Sequence, residues 1–243
     1  MTSQADLDAF LERLPRLSPH SILKFNCGPS VACFNQCCSD LNLLLSPYDV
    51  LRLRLALNID SGTFIQKYGR LTAADGNRFP SIALKMTAVA GAPCPFVREN
   101  GCSVYGHRPG ACRAYPIGRG ASIDDEGKFH EEYVLVQESH CQGFDSTREM
   151  TVAAYLQDQG MRQYTRFDDL YIRLMHQWHR RDIPLSPPLF EKVFTAVYRT
   201  DTLGDILSAN SPKETDAPLP GDPLAVQEAL LEKAMEWLAS DRL

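Results

Sequence analysis

The chain has 243 residues, of which 44% are hydrophobic and 23% are charged, and its net charge is −5. These values are ordinary for a soluble globular protein that buries a core. A negative net charge without clustered Lys and Arg disfavours a nucleic-acid-binding surface. No apolar run approaches the roughly 20 residues that span a bilayer. We therefore expect neither a nucleic-acid partner nor a membrane span.

The first predicted element is an amphipathic helix within residues 1–19, which ends at Pro15. Its apolar residues recur at helical spacing and are Leu7, Phe10, Leu11 and Leu14. Residues 21–26 are typical of a short strand, and this strand leads directly to Cys27.

A helix start is predicted at residues 46–49. Ser46 can accept hydrogen bonds from the first backbone N–H groups, and Pro47 suits the first helical position. Asp49 is favoured at the positive end of the helix dipole. The predicted buried side of this helix consists of Val50, Leu51, Leu53, Leu55 and Leu57. A second helix is predicted from Ser61 to Gly69.

Strands are predicted around the middle cysteines. Residues 79–86 alternate loosely, whereas residues 132–138 form the clearest strand pattern in the chain. We expect the latter to pair with residues 115–119 across the stretch 118–127. A glycine turn between Cys94 and Cys102 predicts a small knuckle.

Helical patterns dominate after Cys141, over residues 147–159, 161–180, 188–198 and 224–239. The apolar stripe of the last helix predicts docking onto the same domain or onto a partner protein. The expected fold is α+β, mostly helical with a small antiparallel sheet and cysteine-rich loops tied by metal. The expected organisation is a cysteine domain over 1–145, a helical extension over 146–207, a linker over 208–223 and a C-terminal helix over 224–243.

All eight cysteines lie between Cys27 and Cys141. The N-terminus lacks the basic and apolar segments of a secretory signal peptide, so we expect a cytoplasmic protein. In a reducing compartment, closely grouped thiols are typical of metal ligands. A disulfide framework and free cysteines that pack as small hydrophobic residues are the alternatives.

The spacing of the cysteines excludes several common sites. No Cys-x-x-Cys pair occurs, which disfavours zinc ribbons, zinc fingers and thioredoxin-like motifs. The third cysteine of a radical-SAM motif would fall at Asp40, and neither ferredoxin spacing is present. Cys33 and Cys37 can share one helical face, whereas Cys38 points roughly 100° away. Adjacent cysteines can therefore serve different centres or two corners of one cluster.

Eight thiolates suffice for two four-thiolate sites, for one iron–sulfur cluster with a zinc ion, or for one centre with spare thiols. The candidate metal ligands are Cys27, Cys33, Cys37, Cys38, Cys94, Cys102, Cys112 and Cys141. Grouped thiolates need compensating positive charge, which guanidinium donors can supply. The candidates for supporting the ligands are Arg108, Arg113, Tyr105 and Tyr115, with Arg98 and Arg119 nearby in sequence.

The cysteine pattern resembles the YkgJ-type cysteine-cluster family over about residues 21–145. The most specific part is Arg-Pro-x-x-Cys-Arg-x-Tyr-Pro at 108–116, together with Cys-Cys at 37–38. The usual compact first motif, with cysteines two apart, is stretched here between Cys27 and Cys33. The resemblance implies a zinc- or iron-chelating domain. The same domain occurs in flagellin lysine methylases, where it implies an iron–sulfur cluster.

Other side chains offer weaker candidate sites. His176 and His179 lie three residues apart on a predicted helix, a spacing that can bind a metal. Because no carboxylate partner accompanies them, a plain amphipathic helix is favoured over a metal site. His140 precedes Cys141 and could replace a thiolate ligand. Neither a Gly-x-Ser-x-Gly elbow, a phosphate loop nor a glycine-rich S-adenosylmethionine site is present.

The sequence thus predicts a cytoplasmic metal-binding protein whose cofactor is an iron–sulfur cluster, with 4Fe-4S favoured, or zinc. A redox role would follow from a cluster. The alternatives are a protein-modifying enzyme that resembles a lysine N-methylase, and a zinc or iron chaperone. A protein partner is an open possibility for either alternative.

Overall fold

The computed structural model describes residues 13–72, 79, 81–181, 186–202 and 222–240. Helices and small antiparallel sheets make up this part of the chain, which confirms the α+β prediction. Most of the helix predicted over 1–19 and of the linker predicted over 208–223 lies outside the described residues. None of the described helices is both long enough and apolar enough to cross a membrane.

The helices follow the sequence pattern closely. They are α1 (Pro47–Leu57), α2 (Ser61–Tyr68), α3 (Gly110–Ala114), α4 (Val152–Asp158), α5 (Met161–His179), α6 (Pro187–Tyr198) and α7 (Pro223–Ser240). Three single 3₁₀ turns add to them, at Gln36–Cys38, Tyr105–His107 and Gly143–Asp145.

The strands are short and form four separate antiparallel sheets. β1 (Arg16–Leu17), β9 (Phe129–Leu135) and β8 (Ile117–Ile123) form the first, and β10 (Glu149–Thr151) pairs with β2 (Ile22–Lys24). β3 (Leu44–Leu45), β5 (Ile82–Leu84) and β4 (Gly69–Leu71) form the third, and β6 (Val97–Arg98) pairs with β7 (Gly101–Cys102). The predicted pairing of the two strands around residues 115–138 is confirmed, with Ile117 opposite Leu135.

The larger hydrophobic core lies among α1, α5, α6 and α7. Tyr48 of α1 stacks on Phe167 of α5 with 4.5 Å between the ring centroids. Leu231 of α7 is fully buried, and α7 packs on both α5 and α6. The apolar stripe of the last helix is therefore used for packing within the chain.

A second, smaller core joins the two ends of the cysteine region. Its buried members are Leu23, Phe25, Ile117, Val152 and Tyr155. Phe25 lies so close to Gly143 that a Cβ atom there would meet the ring at 2.5 Å. A glycine at this position therefore lets the segment after Cys141 pack against the strand that precedes Cys27.

Two element boundaries and one burial assignment differ from the sequence prediction. The helix expected from residue 147 begins at Val152, because Glu149–Thr151 pair with β2 instead. The strand expected over 132–138 lies at Phe129–Leu135, since its turn is tighter than predicted. Leu55, expected on the buried side of α1, is 41% exposed.

Two acidic side chains lie close together where α1 meets α5. Asp49 is only 4% exposed, and burial raises its pKa to about 6. Burial, and next the charge of Asp49, raise the pKa of Asp168 to about 7. The Oδ1 atom of Asp168 is inaccessible and has no hydrogen-bond partner among the described residues. The protonated form of Asp168 is thus favoured in the folded state.

We predict that Asp168→Asn stabilises the protein at pH 8 and stabilises it less at pH 5. The stability that protonated Asp168 contributes is complete below the ordinary carboxyl pKa of 3.8 and is lost as the pH rises through about 7. Asparagine removes the cost of burying the charge, which is of the order of 1–3 kcal/mol. Urea unfolding of both proteins at the two pH values measures the difference.

Asp169→Asn is the matched control, because Asp169 pairs with the Arg119 guanidinium at 2.5 Å, whereas Oδ1 of Asp168 has no partner among the described residues. We expect this variant to be destabilised at pH 8, by about 1 kcal/mol. A destabilised Asp168→Asn protein at pH 8 would contradict the assignment of an unfavourable buried charge.

Candidate metal centre

The eight cysteines lie on loops and on the ends of short elements, and all of them are free thiols. Cys27 follows β2, and Cys37 and Cys38 occupy the 3₁₀ turn Gln36–Cys38. This turn is entered through Asn35, whose backbone has a positive φ of 71°. Cys94 precedes the β6–β7 hairpin, Cys102 ends it, Cys112 lies in α3, and Cys141 follows β9.

Hydrogen bonds join the double-cysteine turn to the hairpin. The backbone N–H of Cys94 donates to the carbonyl oxygen of Cys38 at 2.7 Å. The side-chain amide of Asn35 donates to the carbonyl oxygen of Arg98 at 3.0 Å. Within the hairpin, Val97 pairs with Cys102 and donates its N–H to the Cys94 carbonyl. Cys38, Cys94 and Cys102 are thereby brought to one side of the turn.

A second set of contacts joins the same segment to the residues around Cys141. The N–H of Gln142 donates to the Sγ atom of Cys33 at 3.2 Å. The N–H of Asn26, next to Cys27, donates to the carbonyl oxygen of Gly143 at 3.0 Å. Cys27, Cys33 and Cys141 are therefore neighbours although they are far apart in sequence.

The electrostatic interactions of the thiols divide in a similar way, except that Cys37 interacts with thiols of both groups. Burial, followed by the charges of Cys37, Cys33 and Cys141, raises the pKa of Cys27. We call Cys27, Cys33, Cys37 and Cys141 the first thiol set.

The second thiol set consists of Cys38, Cys94, Cys102 and Cys112. Burial, followed by the charge of Cys94, raises the pKa of Cys112 to about 12, and the charges of Cys102 and Cys37 also contribute. Burial is the main cause that raises the pKa of Cys94. A hydrogen bond from the Phe96 backbone opposes this rise, and the charge of Cys102 adds to it. The two sets meet at the hydrogen bond between Cys37 and Cys38, which lowers the pKa of Cys37 and raises the pKa of Cys38.

The donor chemistry of both sets suits zinc and iron, since thiolates are preferred ligands of each. The side chains are not, however, arranged in the geometry of a metal-bound site. Among the described residues, no group of three or more His, Cys, Asp or Glu side chains is arranged to hold a metal ion. Metal binding by either set therefore requires the thiol side chains to move, which their positions on loops permit.

A buried carboxylate positions Cys112. Ser46 caps the start of α1 as predicted, and Asp49 completes a capping box with it. Its Oδ1 atom also accepts a hydrogen bond of 2.8 Å from the N–H of Gly110, the first residue of α3. Asp49 thus stabilises the starts of two helices, and Cys112 lies in the second. The sequence offered a signal for the first role only.

The predicted supporting arginines bind backbone and amide oxygens. Arg108 donates to the carbonyl oxygen of Tyr105 at 2.8 Å and to Gln159 Oε1 at 2.6 Å. Arg113 donates to the Gln159 carbonyl oxygen at 2.8 Å. Among the described residues, neither guanidinium makes a hydrogen bond to a thiol. The charge of Arg108 nevertheless acts to lower the pKa of Cys27. Gln159, which anchors both arginines, carries no sequence signal.

The two predicted tyrosines have different surroundings. Tyr115 is half-buried, and burial followed by a hydrogen bond with Cys141 raises its pKa. Tyr105 is 60% exposed, and the Arg108 guanidinium lies 3.8 Å from the centre of its ring. Tyr115 is thus next to the first thiol set, whereas Tyr105 faces solvent.

The histidine candidates do not form a metal-binding group among the described residues. His140 is exposed, and its charge acts to lower the pKa of Cys37. His176 and His179 lie in the last turn of α5. No metal-binding group of three includes any of them in the part of the chain that the structure describes.

Comparison with known proteins agrees with the cysteine pattern. Residues 26–142 match the model of a protein family described as "putative zinc- or iron-chelating domain". No curated protein and no solved structure matches the chain. The match spans the whole stretch from the residue before Cys27 to the residue after Cys141, and therefore contains both thiol sets. Residues 26–142 are therefore similar to the zinc- or iron-chelating domains of this family.

Proposed function

We propose that this protein is a cytoplasmic metal-binding protein that holds its metal through the eight cysteines, with a 4Fe-4S cluster as the leading form and zinc as the alternative. The observation that carries this proposal is the division of the thiols into two sets of four that meet at Cys37 and Cys38. Four thiolates are the ligand number of a 4Fe-4S cluster and of a structural zinc ion.

The geometry of the 3₁₀ turn supports two sets. Successive side chains of a 3₁₀ helix point roughly 120° apart, so the thiols of Cys37 and Cys38 can face different centres. The backbone contact between Cys38 and Cys94 supports membership of Cys38 in the second set. The Gln142 contact to Cys33 supports a first set that includes Cys141.

Eight closely grouped cysteines are typical of metal ligands in a reducing compartment, which supports the cytoplasmic setting. A bound cluster would supply one-electron transfer or sensitivity to oxidants, whereas zinc would fix the loops. This chain would contribute thiolates, the hydrogen bond from Tyr115 to the region of Cys141, and the positive charge of Arg108 beside Cys27.

We predict that anaerobically purified protein contains iron and acid-labile sulfide and absorbs broadly near ~400 nm. The absorption spectrum and the metal and sulfide analysis are measured on the same sample. A colourless protein with stoichiometric zinc would select the zinc alternative. A sample with neither metal, whose thiols are free or oxidised, would refute the proposal.

Single substitutions in each set test whether there are two centres. We expect Cys27→Ser to remove the metal of the first set and Cys112→Ser that of the second, so each variant should retain about half of the bound metal. Metal content per chain and thermal unfolding are the measurements. Ser39→Ala, next to Cys38 but without a thiol, should leave both unchanged.

Loss of all metal in both variants would instead indicate one shared centre. Full metal retention in either variant would exclude the substituted cysteine from the ligand set. Because metal binding stabilises the loops that supply the ligands, each ligand variant should also unfold at a lower temperature than the Ser39→Ala protein.

A further inference from the structure

Three arginines surround the 3₁₀ turn Tyr105–His107 without carboxylate partners. Arg52, Arg108 and Arg113 have no Asp or Glu oxygen within 4.0 Å in the described ranges of the chain. Other arginines of the chain do have such partners, as Arg119 and Arg166 show. The charge of Arg108 acts on Cys27 of the first thiol set. Arg52 and Arg113 have no comparable negatively charged partner within 4.0 Å among the described residues.

Arg52 and Arg113 approach the same oxygen atom. Their Nη2 atoms lie 3.4 Å and 2.8 Å from the carbonyl oxygen of Gly106. A carbonyl group carries no net charge and cannot neutralise two guanidinium ions. The Nε atoms of both arginines also have no hydrogen-bond partner among the described residues, although both are inaccessible to solvent. Unpartnered buried donors are costly, and both Nε–H groups lack an acceptor within the described ranges.

His107 adds a third donor to the same place. Its Nδ1 atom is inaccessible and lacks a partner in the described part of the chain. Burial, followed by the charges of Arg52 and Arg113, lowers the pKa of His107. The positive potential of the two arginines therefore reaches the imidazole ring.

The turn itself is open to solvent. Gly106 is exposed, and no atom lies within 4 Å of the place where its Cβ would stand. Tyr105 beside it is 60% exposed. A small ligand can therefore approach the turn at Gly106, whose carbonyl oxygen holds both guanidinium groups.

We propose that Arg52, His107 and Arg113 form a binding site for an oxyanion, a phosphate or carboxylate group carried by a small molecule. Such a group accepts several N–H bonds at once from guanidinium donors, and it supplies the negative charge that the turn lacks. Arg52 also interacts with the Tyr48 hydroxyl, whereas Arg113 donates in addition to the Gln159 carbonyl oxygen beside α3, so Arg52 is the clearer position to substitute. The site is separate from the thiol ligands.

The test is titration of the metal-loaded full-length protein with inorganic phosphate, and separately with acetate, by isothermal calorimetry. We expect saturable binding of at least one of them, weakened about tenfold by Arg52→Gln and less by Arg52→Lys, because lysine keeps the charge but not the fork of donors. Tighter binding of phosphate would identify a phosphate-bearing ligand, and tighter binding of acetate a carboxylate-bearing one.

Arg70→Gln is the control, since Arg70 lies on β4, is exposed and bonds to Asn42. It should bind the anion as the unchanged protein does. Metal content should be the same in all these proteins, which separates the oxyanion site from the thiol centres. Absence of saturable binding, or equal affinity in the Arg52→Gln and unchanged proteins, would overturn the proposal.

Discussion

The buried carboxylate of Asp49 is the interaction on which the cysteine region depends most. One of its oxygens completes the capping box of α1, and the other accepts the N–H of Gly110 at the start of α3. A buried carboxylate is costly unless such donors satisfy it. Because α1 is anchored in the larger core, the hydrogen bond to Gly110 transmits that anchoring to the short helix that carries Cys112. Five residues of helix would have little stability without it.

The remaining cysteines are held by much weaker structure than α1. The β6–β7 hairpin has only two residues in each strand, and the double-cysteine turn is a single 3₁₀ turn. Strands this short are marginal on their own. The larger core is built mainly from α1, α5, α6 and α7, which carry no cysteine, although Ala114 of α3 and Phe96 beside the hairpin also belong to it. The thiol loops are thus the part of the fold to which a bound metal would add most stability.

The sequence predicted the elements whose signals are local. Ser46, Pro47 and Asp49 marked the start of α1, and the periodicity of apolar residues located α5 within one residue of its observed end. The family resemblance was also carried by local spacing around Cys112. The second hydrogen bond of Asp49 and the anchoring of Arg108 by Gln159 were not predictable, because they join residues about 50 or more positions apart. Glu149–Thr151 became a strand through pairing with β2, which a helical pattern could not reveal.

Arg113 connects the two proposed sites. Its backbone directly follows Cys112 in α3, whereas its guanidinium binds the Gly106 carbonyl and the Gln159 carbonyl. A metal bound by the second thiol set would place added negative charge next to α3, and four thiolates around zinc or a 4Fe-4S cluster leave a net negative centre. That charge attracts the Arg113 guanidinium, while an oxyanion at Gly106 competes for it. Arg113 therefore lies between the surroundings of Cys112 and the oxyanion site, whereas Arg52 interacts with the turn and with Tyr48.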